Sequence, residues 1–278
     1  MSDTANLEQR ELWNGSLGER YVGVAQYIDT IVEPLSYIAL SVVSARPGDH
    51  ILDIGCGCGS TSIAFALAGA KVRGLDISET MIACAKEDSK AISNISFDVA
   101  DASIENYERI YNHVFSRFGV MFFADPVSSF SNMRSALIDG GKITFLCWQN
   151  LSENEWISAS VDALAPFQPQ PQCPPDPKTP GGFAFADKSY VEEILVASNF
   201  TNISIKSLTP EINMGRSMKE IMSFHSGVGP LSGLAESLDE ETLEEATNAV
   251  TKALLDRMDE SGLRLKAAAW LVTGEASD

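Results

Sequence analysis

Residues 51–62 read ILDIGCGCGSTS, and this stretch decides the fold. An apolar run ends in Asp53, three glycines follow at alternate positions (Gly55, Gly57, Gly59), and small polar residues lead into the apolar segment from Ile63 to Ala66. That is the pattern of a buried strand, a tight turn and a helix. Without a Cβ, each glycine admits positive φ and lets a ligand lie against bare backbone N–H groups at a helix N-terminus, where the dipole favours anionic or polar groups. A nucleotide-like ligand suits such a turn. A strand–helix junction also takes glycine for packing alone, so the pattern does not stand by itself.

Upstream, residues 7–43 read as helical, with Trp13, Leu17, Tyr21, Val24, Ile28 and Ile31 approximating one apolar face and interruptions at Asn14-Gly15 and Gly18; residues 1–45 form an N-terminal helical cover. Arg46 to Asp49 has turn chemistry, and His50 to Ile54 makes the first strand. Downstream, Lys71 to Asp76 is a second strand ending in an acid, followed by a helix capped by Ser78 with Met81, Ile82 and Ala85 inward. Ile95 to Val99 is a third strand, Val114 begins a fourth running through Arg117 toward Phe123, and Lys142 to Trp148 is a fifth. Strands alternating with helices imply, over residues 46–150, a mainly parallel sheet covered on both faces, with ligands at the carboxyl ends of the strands.

The pattern changes after Trp148. Residues 165–182 hold seven prolines, which excludes a regular helix or central strand and leaves a surface loop or a lid over a pocket. With the helix from Tyr190 to Ser198, residues 151–200 form a proline-rich insertion and helix. Residues 201–278 supply two further strands, Asn202 to Leu208 and Ala267 to Thr273, while 216–260 reads as helical and acidic.

At 278 residues and 45% hydrophobic content the chain can fill its own core. A formal net charge of −18, from 38 acidic and 20 basic residues, argues against nucleic acid or an anionic membrane as partner, since both select for clustered Lys and Arg. A charge excess also serves solubility alone. Five cysteines, an odd number scattered along the chain, do not form a disulfide framework and fit a reducing compartment. Cys56 and Cys58 lack a second pair or a nearby His, so no metal is expected. The first dozen residues have no basic or apolar leader region, and the longest apolar stretch, Ile31 to Ala45, is broken by Glu33 and Pro34. The expectation is a cytoplasmic monomer or homodimer acting on a small molecule, with no nucleic acid and no membrane.

Acids stand at the ends of three successive strands: Asp53, Asp76 and Asp101. They converge on one cleft. A carboxylate is the natural acceptor for a ribose diol, and beside a backbone N–H it reads an adenine edge. Each acid alone also reads as a helix cap or turn residue.

Here the sequence resembles the class I S-adenosylmethionine-dependent methyltransferases, in particular the small-molecule branch of the ubiquinone- and menaquinone-biosynthesis type. LDIGCGCGS (52–60) matches that family's first motif, GLDIS (74–78) the second, DVADAS (98–103) resembles the third and FSRFGVMFF (115–123) the fourth-strand segment. The resemblance implies an α/β, doubly wound, Rossmann-like seven-stranded sheet, mainly parallel with an antiparallel final strand. Helices would cover both faces, and residues 209–265 would be a helical substrate-side insertion between the last two strands. It implies S-adenosyl-L-methionine as cofactor and methyl transfer to O, N or C of a small organic acceptor.

On the same ground Asp53, Gly55, Cys56, Gly57 and Gly59 would form the cofactor turn, Asp76 would hold the ribose hydroxyls, and Ile77 with Met81 would pack at the adenine. Asp101 and Ala102 would meet the adenine edge, and Ser116, Arg117 and Phe118 would lie under the methionine part. WNGSLGERY (13–21) resembles a segment that folds over the cofactor, which makes Trp13 and Tyr21 candidates. His113, where relatives often carry an acid, reads as structural. Candidate general bases are His225 and Glu155, although a lone His on a helix is commonly a packing residue. Two alternatives stand: a nicotinamide-dependent oxidoreductase, disfavoured because the third glycine comes one residue early and Ser60 holds its place, and a protein that binds the cofactor without methyl transfer.

Overall fold

The computed structural model describes residues 6–168, 176–235 and 237–277. Three helices precede the first strand: α1 (Leu7–Asn14), α2 (Ser16–Ile31) and α3 (Glu33–Val43). The breaks fall at Gly15, whose backbone is extended, and at Val32, ahead of Pro34, which has no N–H for the ladder. The interruption expected at Gly18 is absent. Gly18 lies inside α2, at a position that requires glycine because a Cβ there would stand 2.0 Å from the Trp13 carbonyl oxygen.

The chain then alternates through β1 (His50–Ile54), α4 (Ser60–Leu67), β2 (Lys71–Asp76), α5 (Glu79–Asp88), β3 (Ile95–Val99), β4 (Tyr111–Arg117), α6 (Pro126–Ala136) and β5 (Leu137–Trp148). After α7 (Glu155–Leu164), α8 (Lys188–Ala197) and β6 (Thr201–Leu208), an excursion of β7 (Glu211–Gly215), α9 (Met218–Gly227), α10 (Glu240–Leu255) and β8 (Leu263–Lys266) precedes the last strand, β9 (Ala269–Ala276).

Seven strands form one sheet in the order β3-β2-β1-β4-β5-β9-β6. Neighbours from β3 to β5 are parallel, and β9 runs antiparallel to both β5 and β6. Strand order reverses between β1 and β4, which opens a crevice at their carboxyl ends. Ile51, Leu52, Val114, Phe115, Phe145 and Leu146 are each 0% exposed, as expected of parallel strands buried on both faces. Each such side chain contributes about 1.5–3 kcal/mol to folding. Phe65 on α4 meets Phe115 edge to face, centroids 4.9 Å apart, which seats the helix on the sheet.

One expectation gives way at the sheet's C-terminal edge. β4 stops at Arg117 instead of running toward Phe123, because Phe118 takes φ of 62° and the chain turns into a short 3-10 segment, Val120–Phe122. The span 216–260, read as helical, holds α9 and α10, and beside it β7 pairs with β8 in a two-stranded ribbon that local sequence patterning does not announce. Ile212, Met214, Leu263 and Leu265 bury one face of that ribbon. Leu208 on β6 stands opposite Ala269 on β9, so the excursion leaves and re-enters the sheet at neighbouring strand ends.

No helix among the described residues is long and apolar enough to cross a membrane. Cys173, Pro169, Pro171, Pro174, Pro175 and Glu236, which entered the expectations above, lie outside the described residues.

Candidate functional site

The glycine turn after β1 is held from below. Asp53 is fully buried and its Oδ2 accepts hydrogen bonds from Thr61 Oγ1 (2.8 Å) and Ser62 Oγ (2.5 Å), which ties the strand to the first turn of α4. Its Oδ1 is buried without a partner, and burial pushes the carboxyl up to about 6. Gly55 and Gly119 let the turns after β1 and β4 press backbone against backbone: a Cβ on Gly55 would lie 2.8 Å from Gly119 Cα. Gly57, at φ 56°, is open above. The nearest atoms to a Cβ there would be Met81 Sδ and Tyr21 Cε1, both 3.9 Å away.

Around this floor runs a cavity of about 420 Å³. Asp76, at the end of β2, accepts from Gly57 N–H (2.8 Å) on Oδ2 and from Ser78 N–H (2.9 Å) on Oδ1, and burial raises its pKa. Asp101, at the end of β3, accepts from the Asn6 side-chain amide at 3.0 and 3.1 Å and from Ser103 N–H at 2.9 Å. Asn6 Oδ1 in turn accepts from Ala124 N–H (2.8 Å), so the N-terminal segment is latched across this end of the cavity.

The opposite side of the turn is charged. Arg117 donates to Asp29 Oδ1 (2.5 Å), Ser60 Oγ (3.0 Å) and Ser36 Oγ (3.1 Å), beside a recess of about 30 Å³ that also touches Tyr21 and Cys58. Tyr21 covers Gly57, and burial pushes its hydroxyl up to about 12, so it is neutral at physiological pH. Trp13 meets the rings of Tyr21 and Phe122 edge-on at 5.9 and 5.4 Å.

Beyond Arg117 the wall turns aromatic. Phe118 stacks on Trp148 with centroids 4.0 Å apart and planes 7° from parallel; Trp156 lies 4.9 Å from Trp148, and Phe224 5.7 Å from Trp156. A left-handed conformation at a bulky residue costs about 1–3 kcal/mol and persists where surroundings over-determine it, commonly at ligand sites. Here the Trp148 stack and the Phe118 N–H bond to Leu146 O (3.0 Å) do so. Asn154, itself fully buried, accepts from Trp156 Nε1 at 3.0 Å and donates to three backbone carbonyls, which fixes the indole. Gly182 and Phe183, from the described end of the proline-rich stretch, also reach the cavity.

Of the residues singled out in the sequence, Trp13, Tyr21, Gly55, Gly57, Asp76, Ile77, Met81, Asp101, Ala102, Arg117 and Phe118 line the cavity. Asp53, Cys56, Gly59 and Ser116 do not. Cys56 is buried with Ile82, Ala85 and Phe97 on the helix side of the turn. Gly59 begins α4 against Phe97, and Ser116 Oγ donates to Ile54 O at 2.8 Å, which fastens β4 to β1.

The two candidate bases are corrected by their positions. His225 is 0% exposed, lies behind Phe224 with neither ring nitrogen partnered, and burial lowers it to about 4. Glu155, at the start of α7, pairs with Arg257 at 3.4 Å on the surface. Neither lines the cavity, because α7 and α9 turn their apolar faces, Trp156 and Phe224, toward it. His113, on β4 with its Nδ1 buried and unpartnered, is also outside the cavity.

Asn6 and Asp29 were not among the expected site residues. Asp29 had a readable signal: it follows Tyr21 and Ala25 at spacings of about four, a charged residue on the apolar face of a helix.

Residues 51–141 match the model of a protein family described as methyltransferase domain. Malonyl-[acyl-carrier protein] O-methyltransferase 1 of Ilyobacter polytropus is 34% identical over 119 residues, covering 42% of this chain and 44% of the relative. The chain spans about half the length of the curated relatives it matches. Among solved structures, the YcgJ protein of Bacillus subtilis superposes with a TM-score of 0.59 at 14% identity, covering 87% of this chain and 98% of the other. Phosphoethanolamine N-methyltransferase 2 of Haemonchus contortus, in complex with S-adenosyl-L-methionine, gives 0.55 at 20% identity, covering 87% and 53%. The sheet is thus of the Rossmann-like kind these proteins share, and the match to the methyltransferase-domain model falls on its first five strands.

Proposed function

We propose that the chain binds S-adenosylmethionine in this cavity and transfers its methyl group to a small organic acceptor at O, N or C. The observation that carries this reading is the Asp76 carboxylate set beside the open backbone of Gly57 within one continuous cavity. A side chain at position 57 would fill the cradle.

The residues fit the cofactor part by part. Asp76 offers two acceptor oxygens to a ribose diol, Ile77 and Met81 offer apolar contact to the purine, and Asp101 with the Ala102 backbone offers acceptor and donor to the adenine edge. Asp29 and Arg117 are opposite charges matched to the ammonium and carboxylate of an amino-acid tail. The bound sulfonium supplies an activated methyl: the acceptor's nucleophilic atom bonds to that carbon as the S–C bond breaks, and the electron pair stays on sulfur as a thioether. The chain's own part is alignment, which supplies up to about 7 kcal/mol in favourable systems, and exclusion of water by the aromatic wall.

Calorimetry with S-adenosylhomocysteine tests the cofactor assignment, with binding expected at micromolar concentration; no binding refutes it. Release of labelled methyl to an acceptor separates transfer from cofactor binding alone. The methyltransferase-domain match supports this reading over nicotinamide-dependent oxidoreduction. We further assign the chain to the cytoplasm, a reading supported by free thiols at Cys56, Cys58, Cys84 and Cys147, and to a monomer or homodimer, which light scattering distinguishes.

A further inference from the structure

Resting on the methyltransferase reading above, we infer that the acceptor is a flat, conjugated molecule that carries neither phosphate nor carboxylate and lies against Trp148 and Trp156. The acceptor half of the cavity is built by separate segments that agree in chemistry. The ends of β4 and β5 contribute the stacked pair Phe118 and Trp148, α7 contributes Trp156, and α9 contributes Phe224. Ile31 on α2 and Phe183 after the proline-rich stretch complete it.

Polar handles are missing from this half. The indole N–H of Trp156 is consumed by Asn154 at 3.0 Å, so the ring presents only carbon to a ligand. Among the described residues lining the cavity the cation is Arg117, which is paired with Asp29 at 2.5 Å and assigned above to the cofactor's amino-acid tail, so it is not left for the acceptor. The undescribed residues 1–5, 169–175, 236 and 278 contain no Lys, Arg or His. A phosphate or carboxylate entering here would be desolvated without a counter-charge, which is strongly unfavourable. A planar π-system gains offset stacking and apolar contact from the same wall.

The wall also bears on the proton. Among the described residues no His, Lys or Glu lines the cavity, and Asp76 and Asp101 are engaged by backbone and Asn6 hydrogen bonds at its other end. The acceptor's O–H therefore passes its proton to water as its oxygen bonds to the methyl carbon and the S–C bond breaks toward sulfur, so that the negative charge developing on oxygen is offset by the adjacent sulfonium. A phenol or enol meets that requirement, since conjugation stabilises its anion.

A matched pair of probes tests the inference. 1-Naphthol and 1-naphthyl phosphate are titrated calorimetrically into the protein, with and without saturating S-adenosylhomocysteine. 1-Naphthol is expected to bind at least about tenfold more tightly than the phosphate, with Trp156→Ala weakening 1-naphthol by about tenfold and Trp156→Phe largely restoring it. Neither variant should change S-adenosylhomocysteine affinity, which also reports that each is folded. Equal or tighter binding of the phosphate, no binding of 1-naphthol, or no effect of Trp156→Ala overturns the inference. Failure of the unmodified protein to bind S-adenosylhomocysteine would instead overturn the cofactor reading, and the naphthol comparison without it still decides the acceptor class.

Discussion

Arg117 Nη2 donates to Asp29 Oδ1 at 2.5 Å, an ion pair in which the arginine side chain is 12% and the aspartate side chain 30% exposed. It joins the end of β4 to the C-terminal part of α2 at the edge of the glycine turn. If the pair reads an amino-acid tail, Asp29→Asn weakens S-adenosylhomocysteine by on the order of 2 kcal/mol, or about thirtyfold, because it removes the counter-charge for the tail's ammonium. Binding of 5′-methylthioadenosine, which lacks the tail, stays within about twofold. Calorimetry with both ligands checks this, and an equal loss for the two assigns the pair to scaffolding.

Asp76→Ala removes the acceptor for a ribose diol and the partner of Gly57 N–H. Affinity for S-adenosylhomocysteine is expected to fall by about 2–3 kcal/mol, the worth of hydrogen bonds to a charged group. Asp76→Asn, which keeps one acceptor oxygen, should fall between the two. An unchanged dissociation constant for the alanine variant would remove β2 from the site.

Gly119→Ala places a Cβ 2.9 Å from Gly55 Cα and 3.0 Å from Ile54 O, both backbone atoms that cannot rotate away. We expect a loss of about 1–3 kcal/mol in urea unfolding, typical of overpacking, together with weaker S-adenosylhomocysteine binding as the turns after β1 and β4 separate. A variant as stable as the parent would show that the two turns have room to part.

His225 is buried neutral and lowered to about 4 by burial, below its ordinary value of 6.5. Its contribution to stability is complete above about pH 6.5 and is lost as pH falls toward about 4, where the folded state must take up the proton. Between about pH 7.5 and about pH 5 this amounts to about 2 kcal/mol. Urea midpoints measured at both values should converge in His225→Leu relative to the parent; an equal drop in both proteins assigns the acid sensitivity elsewhere.

The sheet was legible because its strands are short apolar runs that each end in turn chemistry: Ile51 to Asp53, Val72 to Asp76 and Ile143 to Trp148 carry their own boundaries. The cofactor-side carboxylates were legible for the same reason, standing at fixed distances from those ends. What escaped lies in contacts remote in sequence. Asn6 reaches Asp101 across 95 positions and Arg117 reaches Asp29 across 88, and no local periodicity records either. His225 and Glu155 were chosen by residue type, and the facing of α7 and α9 turned both away in favour of Trp156 and Phe224. The β7–β8 ribbon was hidden beside a helical, acidic stretch because its strands are only 5 and 4 residues long.

That ribbon bears on how such a chain diversifies. Ala267 N–H donates to Pro210 O at 2.9 Å and Ile212 pairs with Leu265, so the excursion between β6 and β9 is cinched at its neck before it spreads over the cavity. It holds Phe224 and Val228 but none of Gly57, Asp76 or Asp101. Recombination at the neck would therefore recut one side of the cavity while leaving Trp148, Trp156 and the carboxylates in place, making residues 211–266 a heritable cassette, portable between chains that share the same sheet.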